Sequence, residues 1–167
     1  MWRDGAYKQV ESIKAWLIEN LSTDKYCHVS VGCDADKNRK KITYVTSIVL
    51  DTRENHGSIF IWKRELLEIR KITLHQKLLA EAERIISVFN EDNILDVIEN
   101  FDVTCSAHID INKNPRYKSN EMLAAIRGWI ESVGVDVIAK PDSYAASAVA
   151  DRFARNRKKP KRKKIND

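Results

Sequence analysis

Glycine, proline and cysteine are all scarce in this chain, at five, three and three of 167 residues. So little glycine and proline excludes a collagen-like or low-complexity polymer. Three cysteines do not make a disulfide scaffold. Cys27, Cys33 and Cys105 also lack C-x-x-C spacing, which argues against a structural zinc site and for buried strand thiols in a reducing cytoplasm. No apolar run approaches the roughly 18 residues that a membrane helix needs. The start, MWRDGAYKQVE, has no apolar stretch of the kind a secretory signal carries. The glycine signatures G-x-x-x-x-G-K-[ST], G-x-G-x-x-G and G-x-S-x-G are absent as well, which weakens NTPase, dinucleotide and serine-hydrolase readings.

What is there has the balance of a globular domain, with 43% hydrophobic and 32% charged residues, and the length suffices to bury a core. The net charge of +5 is unevenly spread. Residues 155–167 hold eight Lys/Arg and one Asp, while residues 1–154 hold 21 Lys/Arg and 23 Asp/Glu. One domain over 1–154 and a basic tail over 155–167, disordered when free, are therefore expected. In that tail Arg157, Lys158, Lys159, Lys161, Arg162, Lys163 and Lys164 would attract nucleic acid through counterion release, without reading its sequence. A solvated, solubilising tail is the plainer reading.

The periodicity predicts a helix over 8–21, from Val10, Ile13, Trp16, Leu17 and Leu21 at three- and four-residue spacing. Alternation predicts strands over 27–33, 42–51 and 58–63, an antiparallel meander joined by the loop DADKNRKK and the turn TRENHG. The period then changes. An amphipathic helix is expected over 73–89 with Thr73 as its cap, and a short one over 93–100 with Asp92 as its cap. A strand over 101–111, a helix over 119–134 ended by Gly134, a strand over 135–140 and a helix over 142–154 capped by Asp142 complete the order. The fold class is α/β: a mixed five-stranded sheet, three antiparallel strands then two helix-linked strands, flanked by helices. Trp2, Trp16, Trp62 and Trp129 read as core or amphipathic anchors rather than base-stacking platforms.

Four carboxylates sit at suggestive places. Asp34 follows the first predicted strand on the face of His28, Ser30 and Gly32, and Asp110 ends the fourth on the face of Thr104, Ser106 and His108. Were the two strands neighbours, these carboxylates would converge. Counting 100° per residue from Asp142 puts Ala145, Ala146, Val149 and Phe153 beside it and Asp151 near the opposite side, so Asp142 is favoured as the inward acid. Glu81 borders the apolar stripe of its helix, whereas Glu83 points toward solvent. Such a cluster repels itself unless cations neutralise it, and hard oxygen donors suit two Mg2+ or Mn2+ ions, the arrangement that hydrolyses phosphodiesters. His108 would orient a carboxylate or water nearby, or be a structural hydrogen-bonded histidine. Lys37, Arg39, Lys40 and Lys41, beside Asp34, would contact phosphates, or form an ordinary charged loop.

Two stretches carry a resemblance. SAHIDI followed by SVGVDVIAKPDSYAASAVADRFA, and the hairpin VSVGCDADKNRKKITYVTSIVL, look like the YkuK-type ribonuclease H-like family of small prokaryotic proteins, over about residues 8–154. KPDSYAAS is the most specific piece. The resemblance implies a ribonuclease H-like fold in which four acids bind two divalent cations, falling here on Asp34, Glu81, Asp110 and Asp142. Asp151 is the rival for the last role because it lies inside the final helix in an Asp-x-x-Ala context. The expected function is a metal-dependent nuclease, or nuclease-like protein, acting on RNA, DNA or a hybrid. The alternative is a catalytically silent module that binds nucleic acid through its tail, and a third reading is an interaction protein whose acids bind no ion.

Overall fold

The structure, a computed structural model, describes residues 1–52, 57–69, 71–91 and 93–154. The turn at 53–56, Asp92 as a cap, and the tail with Arg157, Lys158, Lys159, Lys161, Arg162, Lys163 and Lys164 lie outside the described residues. In chain order the elements are β1 (Trp2–Asp4), β2 (Gln9–Val10), α1 (Ile13–Leu21), β3 (Tyr26–Asn38), β4 (Lys41–Thr52), β5 (Ser58–Glu68), α2 (Leu74–Asn90), α3 (Ile94–Asn100) and β6 (Thr104–Asn112). A 3-10 turn (Lys118–Met122) then leads into α4 (Leu123–Glu131), followed by β7 (Asp136–Lys140), a π-helical segment (Ala145–Ala150) and the last turn, α5 (Asp151–Ala154).

The strands form one mixed sheet in the order β2-β1-β5-β4-β3-β6-β7. Five of them, β3 to β7, are the strands expected from alternation, and seven rather than five is a correction. The two additions are three and two residues long, too short for any alternation to register. Pairing fixes them instead: β1 lies antiparallel on β5 through Trp2↔Lys63, Arg3↔Trp62 and Asp4↔Ile61. For the same reason the first helix begins at Ile13, capped by Ser12 Oγ, which accepts the Ala15 N–H at 3.1 Å, and not at residue 8. The charged stretch read as a loop at 34–41 continues the ladder to Asn38↔Lys41. Only Arg39 and Lys40 make the turn.

Each strand of the meander has two faces with different partners. Val29, Val31 and Cys33 of β3, with Ile42, Tyr44, Ile48 and Leu50 of β4, are buried against Leu17, Leu78, Ile85, Phe89, Ile98 and Ile126 of the helices. At about 25 cal/mol per Å² of apolar surface, this layer supplies most of the hydrophobic stabilisation. The opposite face meets the C-terminal segment. There Val45 and Trp62 pack with Ala150 and Ala154, and the Trp62 and Phe153 rings stack at 4.4 Å and 8°. Trp2 and Trp62 are buried, as the anchor reading requires, whereas Trp129 is exposed. Gly134 has φ +86°, the left-handed conformation that ends the α4 region and suits glycine. Among the described residues no helix is long and apolar enough to cross a membrane.

Candidate functional site

Register decides whether the first two acids meet. β3 and β6 pair in parallel from His28↔Thr104 to Gly32↔His108. Asp34 and Asp110 each lie two residues beyond the last pair, so alternation sends both side chains from the same face at the same end of adjacent strands. Asp34 is buried at 6% exposure and Asp110 is half-buried. Beside Asp110 the pairing of β6 with β7 changes register between Ile109 and Asn112, the kind of irregularity that re-aims a side chain at a strand end.

The third acid comes from α2. Thr73 and Gln76 close a capping box at its start, Thr73 Oγ1 accepting the Gln76 N–H at 3.1 Å and Gln76 Oε1 accepting the Thr73 N–H at 2.9 Å. Leu78, Ala82, Ile85 and Phe89 bury one stripe, and Glu81 is buried with them at 4% exposure. One turn earlier, Lys77 lies with Nζ 3.2 Å from Glu81 Oε1 and 3.7 Å from Asp34 Oδ1. Lys140, at the end of β7, pairs with Asp110. Neither lysine was foreseen from the sequence.

Burial pushes the Glu81 carboxyl up to about 8, the nearby Asp34 and Asp110 charges adding to it and Lys77 opposing it. Burial also raises Asp34, where Lys77 opposes the rise and the Asp110 and Asp151 charges reinforce it. Lys77 itself is raised: burial works against its charge, but Glu81 and then Asp34 outweigh it. One ammonium thus faces more than one buried carboxyl. Near neutrality the arrangement settles with Glu81 largely protonated and Lys77 charged.

The two candidates for the fourth acid are differently placed. Asp142 is largely exposed, with a side-chain exposure of 64%, and is paired with Lys113 at 2.9 Å. It precedes the helix rather than capping it, and its charge is not among those that act on Asp34 or Glu81. Asp151 does act on Asp34. The 100° count assumed a regular α-helix starting at 142. The chain instead enters a helix near Tyr144 and runs as a π-helix over Ala145–Ala150, whose wider i→i+5 turn changes the phase of everything after it.

The KPDSYAAS segment is held down by polar contacts. The Ser47 hydroxyl donates to the Ala145 carbonyl at 2.9 Å, the Ser30 hydroxyl lies 2.7 Å from the Tyr144 hydroxyl, and the latter donates to Asp51. The Ala145 N–H donates to His108 Nδ1 at 3.1 Å. His108 Nε2 meets Ser106 Oγ at 3.0 Å, Ser106 Oγ meets His28 Nε2 at 2.8 Å, and His28 Nδ1 meets Thr104 Oγ1 at 2.6 Å. His108 is fully buried with both ring nitrogens engaged, which is the structural one of its two readings.

The cations of the hairpin divide. Arg39, Lys40 and Lys41 line a cleft of about 700 Å3 together with Arg64 and Asp36. Lys37 pairs with Ile42 one residue out of phase with Asp36↔Thr43, so it belongs to the other face. Arg64 was missed because the charged triplet Lys63-Arg64-Glu65 breaks the alternation and conceals that β5 continues to Glu68.

The donors are carboxylate oxygens, the set that Mg2+ or Mn2+ takes. Among the described residues, however, no three His, Cys, Asp or Glu side chains are grouped closely enough to hold one ion, and the Lys77 ammonium stands between Asp34 and Glu81. The donor set therefore fits a hard divalent ion in its chemistry, and Lys77 must swing aside for one ion to share those two carboxylates.

Three comparisons with known proteins bear on this arrangement. The family model described as Ribonuclease H-like matches residues 8–155. The uncharacterized protein YkuK of Bacillus subtilis (strain 168) is 25% identical over 138 residues, spanning 76% of this chain and 78% of that protein. No solved structure matches. With a matching family model over nearly the whole domain, a mixed sheet whose five longer strands run β5-β4-β3-β6-β7 and the YkuK likeness, the chain belongs to the ribonuclease H-like family, of the YkuK type.

Proposed function

We propose that this protein is a divalent-cation-dependent nuclease that hydrolyses phosphodiester bonds in RNA, DNA or a hybrid. The observation that supports the reading is the placement of Asp34 and Asp110 on one face at the same end of adjacent parallel strands, with both charges acting on the buried Glu81, in a chain of the ribonuclease H-like family. Asp34 and Asp110 supply oxygen donors from the ends of adjacent parallel strands. Glu81 adds a third from α2. Asp151 completes the set in place of Asp142, whose carboxylate is engaged with Lys113 in the open. Two Mg2+ or Mn2+ ions, when bound, supply an activated water and stabilise the leaving oxygen. The protein's part is to fix the carboxylates on rigid strands and a capped helix, so that the geometry is set before substrate arrives.

The test is direct: pure protein is incubated with end-labelled RNA, DNA and hybrid oligonucleotides in Mg2+ or Mn2+. Cleavage is expected, and an Asp34→Asn, Asp110→Asn double variant abolishes it. Cleavage that persists unchanged in the double variant overturns the assignment.

A second reading is favoured by one observation, the lysines already paired with the acids. It is a catalytically silent module that binds nucleic acid through the tail at 155–167. It requires salt-sensitive binding that disappears when the tail is removed, and no turnover with any divalent ion.

A further inference from the structure

Beside the acids the sheet carries a second, oppositely charged feature. The cleft lined by Arg39, Lys40, Lys41 and Arg64 lies on the face of β3 from which Asp34 projects. Asp36↔Thr43 and Thr43↔Leu66 put their side chains on that face, as do Asn38↔Lys41 and Val45↔Arg64. Both walls prolong elements that carry an acid. β3 runs from Asp34 to Asp36, two residues or roughly 7 Å. α5 runs from Asp151 to Ala154, three residues or roughly 5 Å along the helix, and Ala154 lines the cleft.

The four cations are exposed, and among the described residues none is paired with a carboxylate. Asp36 is the acid that lines the cleft with them, and Glu68 lies across the strand pair from Lys41. Arg39 adopts φ +53°, a left-handed conformation that glycine or asparagine takes at far lower cost in a hairpin turn. An arginine kept where it strains the backbone points to a use for its side chain. After Ala154 the sequence continues into thirteen residues with eight Lys/Arg.

We propose that this cleft is a binding track for the phosphodiester backbone of one nucleic-acid strand, with Arg39, Lys41 and Arg64 as its phosphate-binding groups, leading that strand toward Asp34 and Asp110 at the strand ends. The inference rests on the nucleic-acid reading above but not on catalysis. Guanidinium groups suit phosphate oxygens because their planar donors engage two at once. A backbone track reads charge and not bases, so little sequence preference accompanies it.

The experiment measures fluorescence anisotropy of labelled single-stranded RNA, single-stranded DNA and an RNA–DNA hybrid. It uses the full chain in excess chelator, so that no cleavage intervenes, between roughly 50 and 200 mM salt. Arg64→Ala and Lys41→Ala each weaken single-strand binding about three- to tenfold, and the slope of log affinity on log salt falls by about 0.7 for each phosphate that is no longer neutralised. Arg39→Gly weakens binding to the same extent while the melting temperature stays level or rises, which separates a binding role from a folding one. Lys14→Ala and Arg127→Ala, away from the cleft, leave binding within about twofold. If the Arg39→Gly, Lys41→Ala, Arg64→Ala triple variant binds within about twofold of the parent with an unchanged salt slope, the track is refuted and the affinity lies elsewhere. If it loses binding while the parent cleaves nothing under any divalent ion, the track stands and the nuclease reading falls. Cleavage by the parent with an indifferent triple variant is the reverse case.

Discussion

Lys77 Nζ lies 3.2 Å from Glu81 Oε1, one turn apart on the inner side of α2. On a helix surface such a pair is worth a few tenths of a kcal/mol. Here Glu81 is buried and Lys77 reaches on to Asp34, so the ammonium works as a built-in cation at the place where carboxylates otherwise repel. A divalent ion that uses Asp34 and Glu81 competes with it directly.

That competition gives the first prediction. In Lys77→Met the carboxylates lose their cation, and the metal-free protein becomes less stable by about 1–3 kcal/mol, below the full cost of breaking a buried pair because Glu81 escapes by staying protonated. Removing the like charge raises Mn2+ affinity about tenfold, roughly 1.4 kcal/mol, and added Mn2+ restores part of the lost stability. Calorimetric titration and denaturation with and without Mn2+ read both effects. Equal Mn2+ affinity in the parent and the variant rules out Lys77 as the competitor.

The second prediction concerns pH. Burial raises Glu81 from an ordinary 4.5 to about 8, so between those values the folded state holds a proton that the unfolded state has lost. The stability this provides is fully present below about 4.5 and is lost as pH rises through about 8. Glu81→Gln keeps the shape and removes the titration. Across that window the parent falls relative to the variant by roughly 2–4 kcal/mol, read from urea denaturation midpoints at successive pH values. Divalent-ion binding to the parent releases a proton from Glu81 below about pH 8 that binding to the variant lacks. Parallel stability curves for the two proteins contradict this account.

The third prediction sets Asp151 against Asp142. Asp151→Asn lowers metal-dependent cleavage at least about 100-fold, with less than about 1 kcal/mol of change in stability. Asp142→Asn leaves cleavage within about threefold, because it loses only an exposed pair with Lys113 of little energetic worth. The two rates, measured side by side with Mg2+ or Mn2+, decide between them. A larger loss in Asp142→Asn restores the helical-angle argument.

These residues also mark how far the sequence could be read. Asp34 and Asp110 were legible because β3 and β6 alternate cleanly and a parallel pair must present matching ends together. Thr73 was legible as a cap because threonine before an amphipathic run satisfies a free N–H. The helical-angle count from Asp142 to Asp151 did not anticipate the π-helix, since nothing in AASAVA signals one, and its wide turn changes the phase between the two acids. Lys77 was passed over because a lysine four residues before a glutamate is ordinary on a helix surface. Only the packing of α2 on β3 turns that spacing into a buried compensation. β1 and β2 depend entirely on pairing partners about sixty residues away or across a turn, which no local period records.

The fourth prediction follows from the hydrogen-bond chain under the π-helix. At one end the Thr104 hydroxyl donates to the Cys27 carbonyl at 3.2 Å, so its oxygen must accept from His28 Nδ1–H. At the other end the Ala145 N–H donates to His108 Nδ1, so the His108 proton sits on Nε2. Ser106 then accepts from His108 and donates to His28 Nε2, and every link runs one way. A proton added at either acceptor nitrogen opposes an existing donor. Burial accordingly lowers both histidines, His108 to about 4 with His28 contributing and His28 less far because Asp51 opposes. Both rings are therefore neutral at about pH 7, with opposite tautomers, and 15N chemical shifts of the ring nitrogens assign Nδ1–H to His28 and Nε2–H to His108. The stability tied to His108 is complete above its ordinary 6.5 and is lost as pH falls through about 4. In acid the π-helical segment loosens from the sheet before the helices α1 to α4 do, and hydrogen exchange at Ala145 rises between about pH 6 and 4 relative to Ile85. His108→Gln, which cannot take up the proton, removes that rise. Identical tautomers, or an exchange ratio that stays flat over the interval, exclude the one-way chain.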